Sequence, residues 1–456
     1  MDRRRFLSAA GGVAAAGLAA PALARTGGRP NFIVIYVDDM GYGDIGPTGG
    51  RTIRTPNIDR MARQGMTLTD YYAPANLCTP SRAGFLTGRY PIRTGLGKGV
   101  ILQNDKRGLP LSEVTIAEAL KPAYATALIG KWHLGHVAPS WPPMQHGFDL
   151  FYGLPYSHDM LPLALYEGTA QGMTQQPVDY PQLQQQFYAR AERFIDDNRE
   201  RPFFLALTLS APHLPNYPNP AFAGKSAAGA YGDCVMEIDS IVGRLIDKLE
   251  SSGLARNTLV VFTSDNGPWF EGSSGGLRQR KGGGGYDGGS RVPFVAWRPG
   301  VIPAGRRCNS IAMGIDFLPT LCAMAGLPNP AGVELDGLDI SAVLTRGAAS
   351  PHDELLLFNN EDIAAIRTQQ WSYVVADYYL SYFLSTEKRG YPQLYDTRDK
   401  SQDYSVASLH PDVVKAMAAR LARAQAKFDP MRTGPKSGII RLPPEWKEHI
   451  PEMWRD

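Results

Sequence analysis

Four small groups of reactive side chains follow four apolar runs. Asp38 and Asp39 come after residues 32–37, Lys131 and His133 after 126–129, His213 after 203–209, and Asp265 with Asn266 after 258–263. The aspartate and asparagine oxygens suit a hard cation, Ca²⁺ or Mg²⁺. Zinc would favour His and Cys spacings such as Cys-x-x-Cys or His-Glu-x-x-His, and neither occurs. Three carboxylates packed together repel one another unless a divalent ion neutralises them. With Lys131, Arg82 and the histidines added, the set describes a pocket for an oxyanion ester. Taken singly, each group has a plain explanation: Asp-Asp after a strand is often a turn or cap, and an isolated histidine is often structural. Four groups at equivalent positions call for a common one.

The elements that must carry these residues are legible in the same runs. Continuous apolar stretches are expected of strands covered on both faces. Between the third and fourth, Val235, Ile238, Ile241, Val242, Leu245, Ile246 and Leu249 recur at helical spacing, and Gly253 follows as a stop. Strands alternating with helices indicate an α/β domain with a largely parallel sheet. In such a sheet the ligand crevice lies outside the carboxyl ends of the strands, so the four groups converge on one cleft. Residues 134–181, rich in Pro and aromatics, and 269–289, rich in Gly, read as long surface loops around that cleft. From about residue 345 the pattern changes to short β-like runs at 354–358 and 371–375 and a basic amphipathic helix over 410–428. The expected organisation is a leader over 1–24, a catalytic domain over 25–345 and a small α+β C-terminal domain over 346–456, with a Pro-rich tail on the surface.

The segment Cys78-Thr-Pro-Ser-Arg82-Ala-Gly-Phe-Leu86-Thr87-Gly88-Arg89 resembles, at every specified position, the signature C-x-P-S-R-x-x-x-L-T-G-R of type I, formylglycine-dependent sulfatases. Asp38-Asp39-Met-Gly41-Tyr42-Gly43-Asp44 is similar to that family's metal-binding opening, and Thr263-Ser-Asp265-Asn266-Gly267 to its second metal segment. Residues 125–135 resemble its second signature, although Ala123 stands where glycine is usual. Tyr156-Ser157-His158-Asp159 is similar to a segment of the arylsulfatase A group. The resemblance implies an alkaline-phosphatase-like, mostly parallel central sheet flanked by helices, and hydrolysis of aryl or carbohydrate sulfate esters with release of sulfate. It implies oxidation of Cys78 to formylglycine by a maturation enzyme, and Ca²⁺ (or Mg²⁺) held by Asp38, Asp39, Asp265, Asn266 and residue 78. Arg82 would hold the formylglycine, Lys131 and Lys281 the sulfate oxygens, and Ser157 would hydrogen-bond near the sulfate. His133 would serve as base and His213 as acid for the leaving alkoxide. A hydrated aldehyde carries two hydroxyls on one carbon: one attacks sulfur, and collapse through the other expels sulfate. Lys281 departs from the family spacing by one residue, within a glycine run. His136 and His146 lie outside every motif and read as loop residues. A phosphonate or phosphate-ester hydrolase of the same superfamily is the alternative activity. A non-catalytic sulfate- or glycan-binding relative is the other alternative; it would have lost a nucleophile or ligand, and none is missing.

Arg3, Arg4 and Arg5, an Ala/Gly-rich apolar run over 7–20 and Ala22-Leu23-Ala24 form a twin-arginine export signal with its cleavage site. The expected partner is the twin-arginine machinery and the expected location periplasmic or secreted. Without residues 1–24 the formal charge falls from +3 to +1. A near-neutral body has no electrostatic footprint for nucleic acid or an anionic membrane, and no internal stretch is apolar enough for stable membrane insertion. Four cysteines are too few for a disulfide scaffold in 456 residues. With Cys78 in use at most one pair remains, and Cys234 and Cys322 fall in helical apolar patterns that bury them.

Overall fold

The four apolar runs form neighbouring strands: β1 (Asn31–Val37), β2 (Ala125–Lys131), β3 (Phe203–Thr208) and β4 (Thr258–Ser264). This is a computed structural model that describes residues 28–379, 382–385 and 392–434, so the leader and the final tail lie outside the described residues. The four strands are parallel in the order β4-β1-β3-β2. Along β1, Phe32, Val34 and Tyr36 enter one apolar cluster and Ile33, Ile35 and Val37 the other. Both faces are covered, which is why the sequence shows an unbroken run instead of alternation. On the first face lies α1 (Cys78–Thr87), buried along its whole length. The second face is covered by α2 (Leu183–Asp197) and α3 (Gly229–Ser251), whose Val235, Ile238, Ile241, Val242, Leu245, Ile246 and Leu249 are all buried.

Beyond β4 the sheet continues through Phe294–Trp297, Met66–Leu68 and Arg306–Cys308; beyond β2 it continues through Leu150–Leu154, Leu165–Thr169 and Gly172–Gln176. The last three strands correct the reading of 134–181 as loop. They escaped notice because two of them are antiparallel edge strands with little burial, and the outermost is exposed at every residue. Without a buried face, a strand has no apolar period to display. The α/β architecture expected from the sequence is otherwise the one observed.

After the helix Ser341–Arg346, the strands Leu355–Asn359, Asp362–Arg367, Trp371–Val374 and Gln393–Asp396 form an antiparallel sheet. The helix α4 (Pro411–Phe428) packs on it through Met417, Leu421, Ala424 and Phe428. The same cluster contains Tyr72, Tyr286, Ile311 and Met313 from the larger part, so the two parts share a core. Buried Arg367 strengthens the junction by donating to Asp70 (2.6 Å) and to the Tyr72 hydroxyl (2.7 Å). All four cysteines are free, with Cys234 and Cys322 buried on helices. Among the described residues no helix is long and apolar enough to cross a membrane.

Candidate active site

The carboxyl ends of β1, β2 and β4 meet the first turn of α1. Asp38, directly after β1, accepts a 2.6 Å bond from Lys131 Nζ at the end of β2. Asp39 adopts a left-handed backbone, φ 64°, and its amide donates to Asp265 Oδ1 just past β4. Aspartate tolerates this region better than most side chains. Cys78 opens α1, where a helix N-terminus favours negative charge. Arg82 stands one turn further on, which directs both side chains to the same face. Arg82 clamps Asp265 Oδ2 through Nη2 (2.8 Å) and Nε (3.1 Å) and donates to the Lys131 carbonyl. Asn266 Nδ2 and Lys281 Nζ each reach Asp39 at 2.7 Å, and Cys78 Sγ lies 3.9 Å from Asp39 Oδ1. Ligand atoms of Cys78 with Asp38 and Asp265, and of Cys78 with Asp39 and His213, fall within 4.8 Å of one another.

The electrostatics follow from burial and from these pairings. Burial pushes the Cys78 thiol up to about 12, and the Lys131 and Lys281 charges offset only part of that. A protonated thiol is a poor nucleophile at neutral pH. Burial also opposes ionisation of Asp38, but Lys131, His213, Arg82 and Lys281 hold it well below the usual carboxylate range. The Asp265 carboxyl moves the other way, pushed up by burial and by the Asp38 charge against the pull of Arg82. Burial likewise works against the Lys281 ammonium, yet Asp39 holds it well above the usual lysine value.

The histidines are set by neighbouring loops. His133, two residues past β2, bonds the Ile101 carbonyl through Nε2 at 2.9 Å. A carbonyl only accepts, so Nε2 carries the proton and Nδ1, buried without a partner, keeps its lone pair. Thr79 on α1 donates to the His133 carbonyl and accepts from the Ile101 amide, both at 3.0 Å, which ties this ring to the helix that carries Cys78. Burial, with Lys131 and Arg82 nearby, holds His133 well below the ordinary histidine range and so keeps it neutral. His213 Nε2 lies 3.6 Å from Asp39 Oδ2, and its Nδ1 pairs with the Leu214 carbonyl. Ser157 is buried with an unpartnered hydroxyl. His136 and His146 bond the carbonyls of Gln103 and Ser140.

Sequence reasoning passed over three supporting residues. Asn76 accepts from the Gly282 amide and donates to Gly283 and Asn359, which pins the glycine loop and delivers Lys281 despite its extra residue. Asp44 accepts from the Gly41 amide (2.7 Å), the Ser273 amide (2.8 Å) and the Tyr231 hydroxyl, binding the opening loop to the glycine loop. Gly41 allows that contact, since a Cβ there would sit 2.2 Å from the Ser273 carbonyl. His158 bonds the Pro215 carbonyl and stands edge-on to His213, with ring centres 5.6 Å apart. Asp44 and His158 lie inside quoted motifs, so position was the available signal for both; Asn76 had none.

The donor set fits a hard divalent cation. Asn266 Oδ1 is buried without a hydrogen-bond partner and Asp38 Oδ1 has only a 3.4 Å ion contact with Arg82 Nη2, a costly condition that a bound cation would relieve. Asp38, Asp39 and Asp265 are matched one for one by Lys131, Lys281 and Arg82. Two further positive charges would therefore favour an anionic ligand in the cleft. The cleft gathers two lysine ammoniums, residue 78 and two histidines, side chains of the kinds that oxyanion binding and proton transfer use.

A family model described as Sulfatase matches residues 30–327. The chain is 37% identical to arylsulfatase A of Homo sapiens over 463 residues, covering 90% of each. It is 35% identical to steryl-sulfatase of Rattus norvegicus over 433 residues, covering 75% of each. Among solved structures, the PsFucS1 sulfatase from Pseudoalteromonas sp. superposes with a TM-score of 0.81 at 29% identity, covering 90% of this chain and 92% of that one.

Proposed function

The chain belongs to the sulfatase family and hydrolyses sulfate esters, and from that premise we propose that its nucleophile is formylglycine made from Cys78 and its metal Ca²⁺, with Mg²⁺ the alternative. The observation that carries this reading is the pair of buried oxygens that accept no hydrogen bond, Asp38 Oδ1 and Asn266 Oδ1, beside the Cys78 thiol. Asp38, Asp39, Asp265, Asn266 and residue 78 would hold the cation, which would supply Lewis acidity to the reaction. Arg82 orients residue 78. Lys131 and Lys281 bind sulfate oxygens and stabilise charge that develops on them, while Ser157 donates to the sulfate from the rim. His133 Nδ1 accepts the proton of the residue-78 hydroxyl, and His213 Nε2 protonates the departing oxygen.

Cys78 is buried in the folded protein, so the maturation enzyme acts before folding is complete, and twin-arginine export carries the finished enzyme to the periplasm or beyond. In this reading residues 25–345 form the catalytic domain and 346–456 a small α+β domain. The test is turnover of aryl and carbohydrate sulfates beside a phosphate diester and a phosphonate ester, after chelation and re-addition of Ca²⁺, Mg²⁺ or Zn²⁺. Sulfate esters should be preferred, with Ca²⁺ or Mg²⁺ restoring the rate. Faster phosphonate hydrolysis, or restoration by Zn²⁺ alone, would overturn the assignment.

A further inference from the structure

We propose that the rings of His158, Tyr180 and Tyr217 form a leaving-group subsite selecting a flat, uncharged, fused-ring alcohol, a proposal that rests on the sulfatase reading above. His213, the acid of that reading, marks the side of the cleft from which the alcohol departs. From His213 a line of rings leads outward: His158 at 5.6 Å, then Tyr217 at 6.1 Å from His158, with Tyr180 and Tyr217 only 4.7 Å apart. Those steps match the span of a few fused rings. Tyr217 is 40% exposed, so a large apolar face beside the cleft is open to a ligand. The free space enclosed by the three rings and His213, together with Gln184, Cys234 and three apolar neighbours, is about 10 Å³, room for roughly one water. A ligand would therefore lie across the rings instead of sinking between them.

The surface is fixed before any ligand arrives. His158 bonds the Pro215 carbonyl, and Asn216 donates to the Pro212 carbonyl, so the segment carrying His213 and Tyr217 is held at two points. Asn219 donates to the Pro181 carbonyl and to Gln182, which locks the Tyr180 turn to the same segment. Preorganised rings lose little entropy on binding, and stacked or edge-on ring contacts add to area burial. Because Nε2 of His158 donates to the Pro215 carbonyl, its buried, unpartnered Nδ1 offers one acceptor for a single donor atom of the ligand. The composition argues against a sugar. The nine lining residues include no carboxylate, lysine or arginine; among them the amide Gln184 donates to Ser210 and keeps a single buried acceptor, Oε1, without a partner. A ring of hydroxyls would find few partners here, and unpaired hydroxyls are penalised in a closing site.

The experiment compares a three- or four-ring aryl sulfate with a single-ring aryl sulfate whose phenol has the same acidity, in the full-length enzyme. Tyr217→Ala should lower kcat/KM about tenfold more for the fused-ring ester than for the single-ring ester. Tyr217→Phe, which keeps the ring, should retain the preference. Equal losses for both esters, or a wild-type preference for a sulfated sugar over the fused-ring ester, would overturn the subsite. A second arm titrates the free fused-ring phenol into the Cys78→Ala enzyme by fluorescence, where Tyr217→Ala should weaken binding about tenfold. That arm needs no turnover: absence of activity toward every sulfate ester would sink the catalytic reading alone, whereas binding unaffected by Tyr217→Ala would sink the subsite alone.

Discussion

Asp38, Lys131, Asp265 and Asn266 sit at strand ends with no solvent exposure, whereas His213, Lys281 and Tyr217 come from loops and keep part of their surface in water. The first group forms a floor in which every charge is paired at close range. The second forms a rim in which Lys281 and His213 each reach Asp39, while Tyr217 packs against Tyr180 and His158. A floor of this kind fixes what is common to the chemistry. Of the rim, Tyr217 is free to change with the alcohol that leaves, because it pairs with no buried charge, whereas Lys281 is tied to the buried Asp39.

If the contrast holds, damage to the floor should cost folding and activity together. Arg82→Ala strands Asp265 and removes a 3.4 Å contact from Asp38, and it is expected to cost about 3–5 kcal/mol in urea unfolding. The accompanying loss in kcat/KM should be at least about a thousandfold. A fully stable Arg82→Ala enzyme would erase the distinction between floor and rim.

The rim should respond according to substrate. His213→Ala is expected to cost roughly a hundredfold in kcat/KM with an alkyl or sugar sulfate and far less with 4-nitrophenyl sulfate, whose phenolate leaves without a proton. Stability should change by less than about 1 kcal/mol, measured by thermal melting. Lys281→Ala should lower kcat/KM about tenfold to a hundredfold for every ester alike, since it binds the sulfate common to all. Leaving-group dependence in the lysine variant, with none in the histidine variant, would exchange their roles.

The smallest effect is expected away from the cleft. His352 Nε2 pairs with Asp316 at 2.7 Å, and although burial opposes its charge, Asp316 raises its pKa above the ordinary histidine value. The folded-state pKa is raised, so this stabilisation is fully present below about pH 6.5 and is lost as pH rises through the folded value. His352→Gln should flatten that part of the stability-versus-pH curve, by about 1 kcal/mol or less, without altering the rate. A rate change would mean that the cleft reaches further than the floor and rim described.

The same contrast explains what could be read from the chain. Asp38, Lys131 and Asp265 lie within one residue of a strand end, so an apolar run announces each and sheet geometry brings them together. Cys78 and Arg82 were legible through a dense local signature on one helical turn. Lys281 was harder, since its spacing departs by one residue and its position depends on Asn76, some two hundred residues earlier. The edge strands within 134–181 left no period because water covers much of them, which hid how Ser157 and His158 are brought to the cleft. Tyr180 and Tyr217 carry no motif at all: their pairing is a product of tertiary contact between two loops.

The central claim is the identity of the nucleophile, and mass spectrometry of the active enzyme tests it most directly. Trypsin releases residues 64–82 as one peptide carrying position 78. The account predicts that Cys78 has lost its sulfur and two hydrogens and gained one oxygen, in a fraction that rises and falls with specific activity across preparations. Full activity in a preparation whose residue 78 is an intact thiol would contradict it.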